Sequence, residues 1–480
     1  MTKMRSLFVG FAWLYLVGVQ PASAQSRAHM RHMSTDRIVH MHHMAQMMHA
    51  RHQHSDMMIG AKSRYATASM AGMERLSSNQ GRLLVKSGEV IGIDLTPASR
   101  SRLAELGYSV KAKNALDTLG MTLDVIEVPT NRSVKAALKR LKKKDPIGTY
   151  VANPIFMPSS DLRGRPKVLE QNVSPYSTSL ESTPIPGFAN EGDKDPHTDA
   201  DRSLSRQSSR IGIVDTGADE TSLRSDCAKP YATTRSSATI RQRKFGPGER
   251  PLARQHGTTV AEQALRSGAC YLVIADVYSN KTGYADATAI ARSLEWMANE
   301  KVTVINLSLT GPPNPILKRS VGAILKRGHT IVAAVGNDGE KNGAAFPAAY
   351  PGVIGVTAIS NDLTVYHKAN TGPGVDFAAI GVDIPVAENT IDGSTSLSGT
   401  SFAAPVVSAM LGEHFSETPN QASGAAVRYL ERLAVDLGPP GRDTVYGVGA
   451  VFPRNDRRAS TLRPRSFADA STDPSEQNAR

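Results

Sequence analysis

Ser398-Gly399-Thr400-Ser401-Phe402-Ala403-Ala404-Pro405 runs directly into the apolar stretch Val406-Val407-Ser408-Ala409-Met410-Leu411. This reads as a glycine-containing turn opening a helix, with one serine at the opening. Glycine permits the tight turn, the first helical N–H groups attract negative charge, and the small alanines let the helix pack closely behind. A serine hydroxyl placed there is a poor nucleophile until a base takes its proton. The rest of the chain must therefore supply that base and a group to orient it.

Two upstream segments have the required residues. Arg210-Ile211-Gly212-Ile213-Val214-Asp215-Thr216-Gly217 reads as a buried strand ending in an acid, and Gln255-His256-Gly257-Thr258-Thr259-Val260-Ala261 sets a histidine at a helix start. A further segment, Ile331-Val332-Ala333-Ala334-Val335-Gly336-Asn337-Asp338-Gly339, reads as a strand delivering an asparagine at its end. Taken singly, an Asp-Thr-Gly is a turn and a His-Gly-Thr is a helix start. Four such segments in one order are far more specific.

Together these segments resemble the subtilisin-like serine proteases, or subtilases, in which the order along the chain is Asp, His, Ser. The resemblance covers residues 206–455. It implies an α/β fold, a doubly wound and mainly parallel sheet, and assigns Asp215, His256 and Ser401 as catalytic residues and Asn337 as the oxyanion donor. It also implies that Val304-Ile305-Asn306-Leu307-Ser308-Leu309 is the strand whose edge pairs with a bound peptide, with Ser308, Leu309, Thr310 and Gly311 binding substrate. Departures are visible. Where the family commonly has a second histidine and a glycine after His-Gly-Thr, this chain has Thr259 and Glu262, and Thr310 stands where glycine is frequent.

Periodicity supports an alternating architecture. Strand-like runs lie at 211–215, 271–277, 302–307, 330–335 and 353–358, and helical spacing runs from Asp286 to Ala298 and from Asn314 to Arg327. Such alternation implies a parallel sheet covered on both faces, with Asp215 and Asn337 at the carboxyl ends of their strands, where such sheets form clefts.

Upstream, Lys3 and Arg5 precede an apolar stretch from Leu7 to Val19, and Ala22-Ser23-Ala24 supplies small residues for cleavage. Residues 1–24 are therefore expected to be a secretory signal, giving a secreted or periplasmic product not held in a membrane after its removal. Residues 25–80 form a leader rich in histidine and methionine. Eight of the thirteen histidines and eight of the sixteen methionines fall within 29–58, a donor set that suits monovalent copper, with His40, His42, His43 and Met44 as candidate ligands. The same tract also reads as a compositionally biased, disordered leader with no metal. Calcium dependence is left open, since no calcium loop is recognisable, and no cofactor is required for the chemistry described.

Residues 81–158 change to a compact α+β pattern resembling the inhibitory propeptides of subtilases, which implies that the chain carries its own intramolecular inhibitor. A Ser-, Pro- and Asp-rich linker follows at 159–205, where maturation cleavage is expected, and a polar tail occupies 456–480. Cys227 and Cys270 are the only cysteines, and a single disulfide is expected outside the cytoplasm, two buried thiols being the alternative. The net charge of +12 does not indicate nucleic acid, because over 206–455 there are 24 Lys and Arg against 22 Asp and Glu. The expected partners are protein or peptide substrates. Two other classes fit parts of the chain: a copper-binding secreted protein, and a catalytically silent subtilase-fold binding protein.

Overall fold

The computed structural model describes residues 72–78, 81–158, 210–223, 226–227, 236–386, 396–417 and 423–462. The signal, the metal-ligand candidates of the leader and the linker lie outside the described residues.

The first part is a small antiparallel sheet with two helices. Its elements are β1 (Met73–Ser78), β2 (Gly81–Ile93), α1 (Pro97–Glu105), β3 (Ser109–Leu116), β4 (Met121–Glu127), α2 (Val134–Lys144) and β5 (Thr149–Pro158). Each helix starts on a side-chain cap, Thr96 accepting from Ser99 N and Ser133 from Ala136 N. The strand β1 lies before the boundary drawn at residue 80. Its sequence, Met-Glu-Arg-Leu-Ser-Ser, carries too few apolar residues to announce a strand, and pairing with β2 creates it.

The second part begins with β6 (Arg210–Asp215), the short pair β7 (Asp226–Cys227) and β8 (Ser236–Ser237), and β9 (Thr239–Lys244). Then come α3 (Gln255–Arg266), β10 (Tyr271–Asp276), β11 (Ala285–Asp286), α4 (Ala287–Asn299), β12 (Val304–Leu307), β13 (Leu309–Thr310) and α5 (Pro315–Lys326). The chain continues through β14 (Thr330–Ala334), β15 (Ile354–Ile359), β16 (Phe377–Ile380), the pair β17 (Ile384–Pro385) and β18 (Ser396–Leu397), α6 (Thr400–Glu417), α7 (Ser423–Leu433) and α8 (Arg458–Thr461). Seven strands form one parallel sheet in the order β16-β15-β14-β12-β6-β10-β9. The expected doubly wound α/β architecture is the observed one.

Alternation along the central strands produces two cores. Ile211 and Ile213 of β6, Leu272 and Ile274 of β10, and Val332 and Ala334 of β14 face the side covered by α3, α6 and α7. Val214, Val273, Ala275, Ile331 and Ala333 face the other side, where α4 buries Ile290, Leu294 and Met297 and α5 buries Ile316, Val321 and Ile324. The edge strand β9 was missed by hydrophobic pattern because Arg241, Arg243 and Lys244 punctuate it, which is how sheet edges resist pairing with other chains.

The small sheet is apolar on both faces. One face packs under its own helices through Val90, Leu103, Ile126, Val134, Leu141 and Tyr150. The other, with Ile91, Ile93, Leu116, Leu119, Met121 and Leu123, joins the core that contains α4 and α5. Polar contacts fasten the seam. The N–H groups of Thr118 and Leu119 both donate to the Glu295 carboxylate at 2.9 Å, Arg319 donates to Asp94 at 2.6 Å, and Arg327 donates to the carbonyl of Thr118 at 2.6 Å.

Deeper in the seam, Lys86 Nζ lies 3.2 Å from Glu89 and 3.1 Å from Asp286, so one ammonium serves two buried carboxylates. Asn153 Nδ2 donates to Glu89 at 2.7 Å. Burial pushes the Glu89 carboxyl above its ordinary range, Lys86 pulls it back, and Asp286 adds to the rise. A carboxyl raised on folding contributes stability that is complete below its unfolded value and is lost as pH rises through its folded value. Glu89→Gln keeps an acceptor for Asn153 and removes the ionisation. The variant's urea midpoint should match the wild type near about pH 4 and exceed it at about pH 8, as measured by urea unfolding of the full chain.

Candidate active site

The parallel sheet brings the ends of β6 and β14 and the starts of α3 and α6 to one edge. Asp215 is the last residue of β6 and is fully buried. Its Oδ1 accepts from the N–H of Thr216 at 2.6 Å and lies 2.7 Å from His256 Nδ1. That bond makes Nδ1 the protonated nitrogen and leaves Nε2 with its lone pair. His256 is 2% exposed, and its Nε2 is buried with no hydrogen-bond partner.

Gly257 explains how close the helix and strand come. Its N–H donates to Thr216 Oγ1 at 2.9 Å, and a Cβ on Gly257 would sit 2.4 Å from the Thr216 carbonyl and 2.8 Å from that of Gly217. Only glycine allows α3 to approach the end of β6 so nearly. Thr259 is buried, and Glu262 pairs with Arg266 at 2.7 Å, so both departures from the family pattern are absorbed locally.

Ser401 stands in the first turn of α6 and is fully buried. Its Oγ donates to the Ser308 carbonyl at 3.3 Å, while Ser308 Oγ donates back to the Ser401 carbonyl at 2.8 Å. The next residue, Phe402, packs its ring on the His256 imidazole with centroids 5.2 Å apart. Asn337 follows β14, and its Oδ1 accepts from the N–H of Thr400 at 3.1 Å, while Thr400 Oγ1 accepts from Gly336 N at 3.2 Å. The amide of Asn337 is thereby oriented by the residue immediately before Ser401.

The segment read as substrate-binding forms one edge of this site. Leu309 and Thr310 of β13 pair antiparallel with Pro158 and Met157 of β5, and Ala285 and Asp286 of β11 pair with Phe156 and Ile155. Phe156 is fully buried, and a Cβ on Gly311 would lie 2.4 Å from its ring. Sequence reasoning named Ser308 to Gly311 but not β11, whose two residues carry no pattern of their own.

Two expectations fall partly or wholly outside the description. Cys270 is buried, whereas only the backbone of Cys227 is described. The copper candidates His40, His42, His43 and Met44 lie outside the described residues, and among the described residues no group of three His, Cys, Asp or Glu could hold a metal ion. Also among the described residues, no helix is long and apolar enough to cross a membrane.

The chain is similar to known proteins. Residues 206–449 match the family described as the Subtilase family. Subtilisin BL of Lederbergia lenta is 31% identical over 265 residues, covering 52% of this chain and 91% of the relative. M-protease of Shouchella clausii (strain KSM-K16) is 30% identical over 265 residues, and the matched part spans 64% of that relative's length. The crystal structure of fervidolysin from Fervidobacterium pennivorans, a keratinolytic enzyme related to subtilisin, superimposes with a TM-score of 0.57 at 19% identity, covering 80% of this chain and 62% of that one, and so shares the fold.

The short bond between His256 and Asp215 has a direct spectroscopic consequence. The Nδ1 proton should give a far-downfield resonance in the proton NMR spectrum of the full chain. Gly257→Ala should remove or shift that resonance upfield, because the added methyl pushes α3 away from β6.

Proposed function

The chain belongs to the subtilase family, and from that membership we propose that it is a secreted serine endopeptidase made as a zymogen. Ser401 is the nucleophile, His256 the general base and acid, Asp215 the group that fixes the imidazole, and Asn337 the oxyanion donor. The observation that carries this reading is the buried 2.7 Å bond between His256 Nδ1 and Asp215, with Nε2 left to take a proton.

In the first step Ser401 Oγ bonds to the carbonyl carbon of the scissile peptide as its proton passes to His256 Nε2. Asp215 stabilises the imidazolium through Nδ1–H. The tetrahedral oxyanion is held by the Asn337 side chain and the Ser401 backbone N–H. The C–N bond then breaks as Nε2 returns the proton to the leaving amine, leaving an ester on Ser401. Water, deprotonated by the same nitrogen, attacks that ester and releases the acid, restoring the serine hydroxyl.

Substrates bind by strand addition between β11 and β13, a mode that uses main-chain hydrogen bonds for affinity. The chain's own Ile155 to Pro158 lie in that slot, which supports reading residues 81–158, together with β1, as an intramolecular inhibitor. Maturation then requires a cut at or after the start of the linker 159–205. A Cys227–Cys270 disulfide belongs to the same proposal, as does release from the cytoplasm after loss of residues 1–24.

Two substitutions test the reading. Ser401→Ala should abolish peptide hydrolysis, a loss of about a million-fold, and leave the full-length precursor uncut when expressed in a host lacking other proteases. Asn337→Ala should mature slowly and lower kcat by about 100- to 1,000-fold, the range established for such a donor in a subtilisin. Normal precursor processing in Ser401→Ala, followed by gel and mass spectrometry, would refute self-maturation. Retained hydrolysis in that variant would refute the nucleophile.

A further inference from the structure

Asp286 is given two tasks by the fold, and its second oxygen points to another. Its Oδ1 caps α4 by accepting from Ala289 N at 2.9 Å, which fixes the carboxylate in place. Its Oδ2 holds the ammonium of Lys86 at 3.1 Å. Lys86 belongs to β2, in the part that the zymogen reading removes at maturation, whereas Asp286 stays with the peptidase. Around this pair stand Glu89 on β2, the amide of Asn153 on β5 bonded to Glu89, and Tyr284, whose hydroxyl donates to the Gly72 carbonyl.

Asp286 is also the backbone partner of Ile155 in the antiparallel pairing of β11 with β5. Directly opposed residues of such a pair project to the same face, with Cβ atoms about 4.5–5.5 Å apart. The side chain of a substrate residue at the Ile155 position therefore starts beside the Asp286 carboxylate. In the uncleaved chain that position is apolar, and the cation reaches Asp286 from another strand.

We infer that Asp286 is a specificity-determining residue that favours lysine or arginine at the substrate position now held by Ile155, three residues before the position of Pro158. The inference rests on the peptidase reading. Lys86 is the stand-in for the substrate cation, and when it departs Oδ2 meets solvent and whatever side chain lies opposite. The carboxylate cannot swing away, because its other oxygen is tied to the helix cap. A cation on a long flexible stem reaches it, a neutral side chain gains nothing, and an acidic one is repelled.

The test uses the full chain after it has matured itself. Three quenched fluorescent peptides share the sequence Phe-Met-Pro, matching Phe156-Met157-Pro158, to set the register. They differ only in carrying Lys, Gln or Glu immediately before it, with the cut point read by mass spectrometry. The expected order of kcat/KM is Lys, Gln, Glu, with Lys over Gln by about two- to fivefold, carried in KM and weakened by salt. Asp286→Asn retains a capping residue and should erase the order, and Asp286→Ser, a second capping residue, should do the same. Equal rates for the three peptides in the wild type would overturn the inference, as would an order that survives both substitutions. A matured chain that cuts none of the peptides, nor casein, would overturn the peptidase reading and this inference with it.

Discussion

Pro405 lies inside α6 and has no N–H to offer the carbonyl four residues back, which is that of Ser401. A buried carbonyl left without a donor costs about 1–3 kcal/mol. Ser308 Oγ fills the gap at 2.8 Å, itself receiving Asn306 Nδ2 at 2.8 Å, while Ser408 Oγ donates to Asn306 Oδ1 at 3.3 Å. The missing helical bond is thus replaced by a buried polar chain that ties α6 to β12. Because β12 runs directly into β13, Ser401 and the strand that pairs with β5 are held in one rigid frame. The proline that removes a bond from the helix is what makes this cross-connection necessary.

The constraint explains why so much of the site was legible in sequence. Ser401, His256, Asp215 and Asn337 each need a neighbour of special shape, such as Gly257 where α3 meets β6 or Pro405 in α6, and these leave readable motifs. The central strands were legible because both faces are buried and most of their residues are apolar. What escaped was structure made by pairing alone. The strands β1 and β11 and the edge strand β9 have no hydrophobic signature, and their backbone bonds form only once a partner strand is in place. The same is true of the Lys86, Glu89 and Asp286 cluster, in which Asp286 lies 200 positions from Lys86 and meets it only through the tertiary fold.

The sheet of residues 72–158 illustrates a second consequence of burying both faces. Its own helices cover one side, but Ile91, Leu116, Leu119, Met121 and Leu123 need the surface of α4 and α5. Separated from that surface, these residues would meet water and forfeit the stabilisation gained on burial, about 25 cal/mol for each Å² of apolar area. The small unit is therefore stabilised by the larger one, and the contact that stabilises it also lays β5 along the cleft.

On the zymogen reading proposed above the seam parts at maturation, and a wholly apolar one would then leave an exposed hydrophobic patch prone to association. Polar fastenings take up part of the seam. Glu295, Arg319, Arg327 and Asp286 hold the small unit by hydrogen bonds and ion pairs, and each is a group that water hydrates well after separation. Of these, only Asp286 lies on a strand that pairs with the occupant of the cleft. A carboxylate placed there bears on peptide binding under the proposed reading, because its orientation is set by the helix it caps. On the proposed zymogen reading, the group that helps hold β5 in the cleft is thereby in position to discriminate among the peptides that replace it.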